Sequence, residues 1–160
     1  MSDSNNNNTG NCLSGDCNGG YGEMEYPDGT VYRGEFRDGL WHGKGELSTS
    51  SGGKLIGTFV DGLINGHGTA ISSRGVRYIG EFVMGVKQGE GIETSPEGIE
   101  YAGSFERGEW NGHGTLCLPN GISYIGTFRN GKYHGKGRLS LLDGTVYEGD
   151  FDCGNFLSGS

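Results

Sequence analysis

The sequence predicts an all-β fold: a single-layer, twisted, antiparallel β-meander, which is a solenoid-like array of 23-residue β-hairpin repeats. Two observations support this prediction. Glycine accounts for 35 of the 160 residues, without the strict three-residue period of collagen. Most of these glycines recur every 23 residues together with large aromatic residues, and a fixed period in the low twenties is typical of repeat arrays. The aromatic fraction of 11% also argues against a disordered chain.

The repeats align without insertions when blocks of 23 residues are counted from Tyr32. Positions within each block are numbered 1 to 23 and are called places. Place 3 is always glycine, place 5 always phenylalanine and place 8 always glycine. The five complete blocks also have glycine at places 12, 14 and 21. The blocks begin at Tyr32, Leu55, Tyr78, Tyr101, Tyr124 and Tyr147.

Each block predicts two short strands, over places 1–5 and 10–16, joined by a four-residue loop that contains the place-8 glycine. A longer turn around the place-21 glycine leads to the next block. Asp28-Gly29 and Asn120-Gly121 supply the positive φ that such a turn needs. If place 5 faces place 10 across the hairpin, place 3 faces place 12 and place 1 faces place 14. The tyrosine then covers a glycine and restores the packing that the glycine lacks.

The predicted sheet has two unlike faces. Places 1, 3 and 5 form an aromatic face with a glycine floor, where the tyrosine and phenylalanine columns are expected to pack on each other. Places 2, 4, 11, 13 and 15 form the opposite face, which is mostly Arg, Glu, Thr, His, Lys and Asn. No remaining segment can cover the aromatic face as a second layer. With neighbouring strands ~4.8 Å apart, six blocks extend over roughly 60 Å.

The chain divides into two regions. Residues 1–19 are expected to be a flexible Asn- and Gly-rich tail with the degenerate start of a cap repeat, and residues 20–160 the repeat array, whose last block is incomplete. The strand over 147–152 is expected at an edge, with Phe156 and Leu157 as a partial partner. Unpaired edge groups are templates for pairing with another chain, but three carboxylates on this strand oppose it. The chain is therefore expected to be mainly monomeric, with an end-to-end homodimer through this C-terminal edge strand.

One motif carries a family resemblance. The pattern Tyr-x-Gly-x-Phe-x-x-Gly-x-x-His-Gly-x-Gly, complete in Tyr32–Gly45 and Tyr124–Gly137, resembles the MORN repeat (membrane occupation and recognition nexus), and the likeness covers about residues 20–160. Departures are Leu55 at the tyrosine place and Asn65, Gln88 and Asn111 at the histidine place. The resemblance implies a rod of β-hairpins that serves as a binding or scaffolding module. It leaves open an accessory role in a larger enzyme, such as a lipid kinase or lysine methyltransferase.

Charge and hydropathy argue against several classes of protein. A formal net charge of −8 argues against nucleic acid as a partner, because phosphate contacts need clustered Lys and Arg. No run of about 18 apolar residues predicts a membrane-spanning helix. The first residues lack the pattern of a signal peptide, so the protein is expected in the cytoplasm, and attachment to a membrane or to the cytoskeleton is left open. In the cytoplasm the four cysteines (Cys12, Cys17, Cys117 and Cys153) are expected to be mostly reduced. Cys12 and Cys17 flank a short loop that places them opposite each other, so export to an oxidising compartment would instead favour a disulfide between them.

Place 10 is the candidate site for a protein partner. Unlike the tyrosine and phenylalanine columns, this place varies, and tryptophan and tyrosine are residues that often anchor interfaces. Simple strand packing is the alternative. The residues expected to contact a partner peptide or helix are Trp41, Ile64, Trp110, Tyr133 and Phe156, while the third block has Lys87 at this place.

The fifth block is a candidate lipid-contact region. It has four basic residues against one acidic residue, Asp143, and thus a net charge of +3, whereas the third block has one basic and five acidic residues. Each basic residue near an anionic membrane contributes ~1 kcal/mol. The overall negative charge opposes such binding, and a solvated face is the alternative. The candidate headgroup contacts are Arg129, Lys132, Lys136 and Arg138.

No catalytic residues, metal ligands or cofactor are predicted. The nearest histidines by register, His42 and His67, are separated by about 12 Å from strand spacing and rise, whereas zinc needs ligand nitrogens at about 2.1 Å. The glycine motifs are followed by strands, not by the helix that a phosphate-binding loop requires. The sequence therefore predicts a non-enzymatic binding or scaffold module that docks a protein partner on the aromatic face. The alternative function is a phosphoinositide or anionic-membrane adaptor.

Overall fold

The computed structural model describes residues 9–159. These residues form fourteen strands in one antiparallel sheet, whose order follows the chain, so the all-β prediction is confirmed. No helix among these residues could cross a membrane. The strands are β1 Asn11–Gly15, β2 Tyr21–Glu25, β3 Val31–Arg37, β4 Leu40–Ser48, β5 Lys54–Val60, β6 Leu63–Ile71, β7 Arg77–Val83, β8 Val86–Thr94, β9 Glu100–Glu106, β10 Glu109–Cys117, β11 Ser123–Arg129, β12 Lys132–Ser140, β13 Val146–Asp152 and β14 Asn155–Gly159.

In the six blocks counted from Tyr32 the hairpin loops are two residues long, so the predicted four-residue loop was wrong. In the first complete hairpin, Arg37 pairs with Leu40, and only Asp38 and Gly39 lie between them, with φ of 51° and 74°. Left-handed φ at both central residues is the geometry of a type I′ turn, which matches the twist of the flanking strands. The turn signal therefore lay at places 7 and 8. The non-glycine residues at place 7, all with positive φ, are Asp38, Asp61, Met84, Arg107, Asn130 and Cys153.

The strand register differs from the predicted one beyond the first pair. Phe36 faces Trp41 as expected, but Gly34 pairs with Gly45 and Tyr32 with Leu47. Place 3 therefore faces place 14 and place 1 faces place 16, because a β-bulge adds two residues to the second strand. Side chains alternate with a period of two, so two extra residues leave every side chain on its predicted face. The predicted residue pairs beyond the first were therefore wrong, but each place lies on the sheet face that was predicted for it.

The register aligns one glycine from each strand into a single row across the sheet. Place 3 pairs with place 14 both within a hairpin and between hairpins, as in Gly34↔Gly45↔Gly57. A Cβ on Gly34 would lie 2.6 Å from the Cα of Gly45, so larger residues would push the strands apart. The row consists of Gly15, Gly22, Gly34, Gly45, Gly57, Gly68, Gly80, Gly91, Gly103, Gly114, Gly126, Gly137, Gly149 and Gly159.

Neighbouring hairpins are also joined through their loops. The place-8 glycine N–H donates to the place-10 carbonyl of the preceding repeat, as from Gly131 to Trp110 at 2.9 Å. The place-11 side chain reaches the same loop: the amide oxygen of Asn65 accepts from the Met84 N–H at 3.0 Å. At the equivalent place, His134 Nδ1 lies 3.1 Å from a carboxylate oxygen of Asp152. Asn65 therefore joins two repeats by a hydrogen bond, whereas His134 lies beside the carboxylate without a hydrogen bond from Nδ1.

The N-terminal end contains a covalent link that was not expected. Strand β1 begins at Asn11, within the segment predicted as tail and degenerate cap, while the predicted flexible run Asn5–Asn8 lies outside the described residues. Cys12 and Cys17 form a disulfide with a Cα–Cα distance of 6.0 Å, so the prediction of free thiols there was wrong. The bend after β1 brings the two residues within bonding range. Cys117 and Cys153 are free and exposed.

The C-terminal edge also differs from the prediction. Strand β13 lies between β12 and β14, and β14 pairs with it from Gly149 to Asp152. The expectation that residues 147–152 form the edge was therefore wrong over much of their length. Pairing extends this far because Gly159 faces Gly149 and continues the glycine row.

The face opposite the aromatic rings is less polar than predicted. The register brings places 2 and 15 of all the repeats into one row, and isoleucine occupies four positions in it. Ile79 pairs directly with Ile92, and β-branched side chains suit exposed strands. The four side chains, 41–59% exposed, are Ile56, Ile79, Ile92 and Ile125.

Candidate partner-binding surface

Except for Tyr147, which is 39% exposed, the tyrosine and phenylalanine columns are buried and are not themselves a binding surface. Tyr32, Tyr101 and Tyr124 are 0% exposed, although the sheet has no second layer. The four buried tyrosines at place 1 each contact phenylalanines of their own and the next repeat edge to face, as Tyr32 does with Phe36 at 5.1 Å and Phe59 at 5.2 Å. This packing confirms the expectation that the columns pack along the array.

Each of these four tyrosines is held over the glycine row by its hydroxyl. Tyr101 donates to the Ser104 carbonyl and Tyr78 to the Glu81 carbonyl, both at 2.8 Å. These carbonyls belong to place 4, beside the bulge. Burial raises the pKa of Tyr78 and Tyr101 to about 12, because an ionised phenol would lose its hydration. The tyrosines therefore stay neutral and structural.

The place-10 residues cover these buried tyrosines and form the outer layer of the aromatic face. We call Trp41, Ile64, Lys87, Trp110, Tyr133 and Phe156 the place-10 surface. Trp41 stacks on Tyr32 with ring centroids 5.1 Å apart, Trp110 on Tyr101 at 4.6 Å and Tyr133 on Tyr124 at 4.0 Å. All three rings are half-buried, so one side packs on the core while the rest is accessible.

Hydrogen bonds fix the orientation of both indoles. Trp41 Nε1 donates to the hydroxyl of Tyr26 at 2.6 Å, and Trp110 Nε1 donates to a carboxylate oxygen of Glu93 at 3.2 Å. Burial raises the pKa of Tyr26, which keeps that hydroxyl protonated. The indoles are thus held rigidly before any partner binds.

The other place-10 residues are less alike. Ile64 is 2% exposed and fills the space over the glycine row that tyrosine fills elsewhere, with its Cδ1 facing Gly57 and Gly68. Lys87 lies over Tyr78 with its ammonium 4.9 Å from the ring centroid and forms an ion pair with Glu93. Phe156, on β14, is 37% exposed. Trp41, Trp110, Tyr133 and Phe156 are therefore accessible, while Ile64 is enclosed.

Two cavities open beside this surface. One, of about 530 Å³, lies next to Trp41 and is lined by Tyr26, Pro27 and Leu47 among others. The second, of about 290 Å³, lies at the second repeat between Leu47, Leu55, Ala70, Val76 and Tyr78. In this repeat the tyrosine and the place-10 aromatic ring are replaced by Leu55 and Ile64, so two rings are missing. The sequence showed both departures but not the resulting gap.

The predicted lipid contacts do not form a uniform basic patch. Lys136 pairs with Asp150 at 2.9 Å, and Glu148 lies directly opposite Arg138 across β12 and β13. Arg129 and Lys132 face each other at the tip of their hairpin, away from the other two. Acidic residues of the next repeat thus offset part of the positive charge of the fifth block. The net charge of each block taken separately did not show this.

Residues 9–159 contain few of the features that are typical of a catalytic or metal-binding site. In this range no group of three His, Cys, Asp or Glu side chains could hold a metal ion. No charged or polar residue of the same range is buried. The cavity at the second repeat is bordered mainly by apolar side chains, and the cavity beside Trp41 is bordered by apolar or aromatic and by polar side chains in equal number.

A comparison with protein-family models agrees with the predicted 23-residue repeats. A family model described as the MORN repeat matches residues 19–31, 32–54, 56–77, 78–99, 101–123 and 124–146. Comparison with curated proteins found no significant match.

Proposed function

The chain belongs to the MORN-repeat family, whose repeats are in general a non-catalytic binding module, and from that premise we propose that it is a scaffold that docks a protein partner on the place-10 surface. The partner segment is a peptide or helix. The observation that carries this proposal is the set of half-buried rings of Trp41, Trp110 and Tyr133, each stacked on a buried tyrosine, with one cavity opening beside Trp41. The role is the same whether the array acts alone or within a larger enzyme.

Preorganised rings favour binding for an entropic reason. Immobilising a rotamer-rich side chain at an interface costs about 0.5–1.5 kcal/mol, and the two indoles are already held by hydrogen bonds to Tyr26 and Glu93. Large aromatic residues in such positions commonly dominate interface energies. Most of the affinity should therefore come from Trp41 and Trp110.

The gap in the second repeat supplies a pocket for a partner side chain. A cavity of about 150 Å³ lined by apolar residues holds benzene, so the 290 Å³ beside Leu55 and Tyr78 has room for one aromatic or branched apolar side chain. Such a side chain would enter the gap bordered by Leu55, Val76 and Tyr78, which Ile64 does not line. We therefore expect the partner segment to carry an apolar anchor that faces the second repeat.

The test compares partner capture by the intact array and by Trp41→Lys/Trp110→Lys. Lysine is the residue that the third repeat carries at this place, so the fold should tolerate it. The exposed Tyr21→Ala, on the opposite face, is the matched control. We expect specifically captured proteins to be lost from the double variant and kept by the control. Equal capture by all three proteins would overturn the proposal, provided that their thermal melts are similar.

Lipid contact is the second role to be tested. We propose only weak binding to anionic vesicles, at low salt, through Arg129, Lys132 and Arg138, because Lys136 already pairs with Asp150 and salt screens exposed charges. Binding that survives physiological ionic strength would instead favour a membrane adaptor. A cytoplasmic location remains part of this proposal.

A further inference from the structure

The sheet face opposite the place-10 surface carries a row of residues with an unusual composition. The row comprises places 2 and 15, and runs Arg33, Glu46, Ile56, Thr69, Ile79, Ile92, Ala102, Thr115, Ile125, Arg138 and Glu148, one from each strand from β3 to β13. Its centre is apolar or uncharged over seven consecutive strands, and both of its ends are charged. Contiguous exposed apolar surface of this kind marks an interaction site.

The row is chemically palindromic about its middle residue, Ile92 on β8. Strands at equal distances from β8 carry matching apolar residues, such as Ile56 on β5 and Ile125 on β11. At the ends the residues are opposite in charge: Glu46 on β4 corresponds to Arg138 on β12, and Arg33 on β3 corresponds to Glu148 on β13. A surface that meets a copy of itself across a two-fold axis needs this kind of self-complementarity.

The neighbouring row follows the same symmetry except on β5 and β11, where Lys54 corresponds to Ser123. It contains the residue two positions along each strand, with Thr94 at its centre on β8. Arg77 on β7 corresponds to Glu100 on β9, and these two residues flank the centre. Val31 on β3 corresponds to Val146 on β13, and Ser48 on β4 to Ser140 on β12. Across the two rows, three pairs of opposite charge and no pair of like charge would face each other.

We propose that this face is a homodimer interface, in which two copies pack about a two-fold axis that runs along β8 through Ile92 and Thr94. Rotation about that axis places β7 of one copy over β9 of the other, so Arg77 meets Glu100 twice. Arg77, Glu100, Arg138 and Glu148 make no ion pair with any residue in the range 9–159, so these charges are available to the second copy, whereas Arg33 already pairs with Glu23 and Glu46 with Lys54. Opposite charges that face each other favour this register over shifted ones.

The third row on this face limits the extent of the contact. Lys44 on β4 and Lys136 on β12 occupy equivalent positions, so like charges would meet there. This row therefore lies at the solvated rim. The two contacting rows extend over roughly 48 Å from β3 to β13, with a footprint of roughly 600 Å². Stable interfaces bury about 800 Å² per partner, so the dimer should be weak, with micromolar affinity.

The dimer would change what the scaffold can do. Packing through this face leaves both place-10 surfaces free on the two outer sides of the pair. One dimer could then hold two partner segments, and two linked sites bind a bivalent target more tightly than either site alone. This consequence goes beyond a single docking surface, but the dimer itself does not depend on it.

Sedimentation equilibrium of the full chain over micromolar concentrations tests the interface. The wild type should show a concentration-dependent dimer. Ile92→Lys puts two ammonium groups on the axis and should weaken dimerisation by about 100-fold, since like charges in contact cost several kcal/mol. Val83→Lys makes the same change on the same face, outside both rows, and should leave the dimer intact. A monomeric wild type would overturn the proposal. A dimer whose affinity does not change in Ile92→Lys would also overturn it, because a dimer formed by edge-strand pairing would behave in that way.

Charge reversal supplies a second measurement that does not depend on core stability. Arg77→Glu and Glu100→Arg should each weaken the dimer by about 10-fold, because each puts like charges together near the axis. The double variant restores opposite charges and should recover wild-type affinity. Two single losses that simply add in the double variant would show that these residues do not face each other.

Discussion

At the residue scale, the tyrosine at place 1 and the glycines at places 3 and 14 depend on one another. The ring of Tyr101 lies on Gly114, and its hydroxyl reaches past the glycine row to the Ser104 carbonyl at 2.8 Å. A side chain on the glycine would displace the ring, and a smaller residue in place of tyrosine would uncover the glycine. In the second repeat the smaller Leu55 replaces the tyrosine. It has no hydroxyl, and Ile64 covers Gly57 and Gly68 in place of a tyrosine ring.

The first prediction concerns this dependence. A Cβ at Gly114 would lie 2.5 Å from Cε2 of Tyr101, a ring with no exposed surface. Gly114→Ala should therefore destabilise the fold by about 1–3 kcal/mol, the usual cost of overpacking. Gly19→Ala is the control, because its nearest neighbour would be 3.9 Å away. Thermal denaturation followed by circular dichroism measures both, and equal melting temperatures would show that the ring moves aside freely.

The second prediction concerns backbone strain at place 7. Met84 is 67% exposed and has a φ of 49°, and the left-handed region costs an ordinary L-residue about 1–2 kcal/mol. Asparagine tolerates this region and occupies the equivalent place as Asn130. Met84→Asn should therefore stabilise the protein by about 1 kcal/mol and raise its melting temperature by about 2–4 °C. Val83→Asn, within the preceding strand, should bring no such gain.

At the element scale, the unit is a hairpin with a two-residue turn and a two-residue bulge. The turn sets how the strands start, with Phe36 opposite Trp41, and the bulge then shifts the register so that Gly34 meets Gly45. The last hairpin has a shorter irregularity, because Phe151 faces Phe156 but Gly149 faces Gly159. Each hairpin therefore adjusts its bulge so that a glycine continues the row, which shows that the row constrains the strands.

The third prediction concerns the N-terminal hairpin. Closing the short loop between Cys12 and Cys17 limits the unfolded chain and should stabilise the hairpin by about 2 kcal/mol. Because repeat arrays open locally at their ends, Cys12→Ser/Cys17→Ser should speed hydrogen exchange in β1 and β2 while leaving the central strands unchanged. Cys117→Ser is the control. Unchanged exchange in the double variant would show that the link contributes no stability.

The same link bears on the compartment. Thiols in the cytoplasm are kept reduced, so alkylation of the protein in intact cells should label Cys12 and Cys17 if the protein resides there. Full protection of both thiols would contradict the cytoplasmic expectation.

At the scale of the whole molecule, the core is continuous from one end of the sheet to the other. Rings of successive repeats touch, as Tyr78 touches Phe105 at 4.8 Å and Tyr101 touches Phe128 at 5.0 Å. A single-layer sheet can bury its core in this way only because the place-10 residues cover it. Stability therefore depends on contacts between neighbouring repeats, as is general for arrays of this kind.

The fourth prediction is a loss of stability at alkaline pH. Burial raises the pKa of Tyr78 and Tyr101 from 10.0 to about 12, and it also raises the pKa of Tyr32, Tyr124 and Tyr133. Between these values the folded state binds more protons than the unfolded state, so stability falls as pH rises. The melting temperature should therefore hold up to about pH 10 and fall steeply between pH 10 and 12.

A pair of variants checks the cause of this alkaline loss. Tyr101→Phe removes one buried phenol and should flatten the decrease above pH 10, although it also lowers stability at neutral pH by losing the bond to the Ser104 carbonyl. Tyr21→Phe, at an exposed tyrosine, should leave the profile unchanged. An identical slope in both variants would mean that other groups cause the loss.

The candidate site could be predicted only in part. The position of Trp41, Trp110 and Tyr133 on the phenylalanine face followed from the period of two within a strand, and the two-residue bulge preserved it. The enclosure of Ile64 did not follow, because it depends on the space left by Leu55 in the same repeat. The ion pair between Lys136 and Asp150 could not be predicted either, because its two residues belong to different blocks.

The sequence by itself determined the all-β class, the 23-residue period, the order of the hairpins and the two faces of the sheet, because these depend on local alternation and on repetition along the chain. Only the tertiary structure decided the bulged register, the glycine row, the burial of the tyrosines, the Cys12–Cys17 link and the row of isoleucines centred on Ile92. The physical reason is that these features depend on which residues of neighbouring strands lie side by side. A shift of two residues changes every such neighbour while leaving the alternation of side chains, and hence the sequence pattern, unaltered.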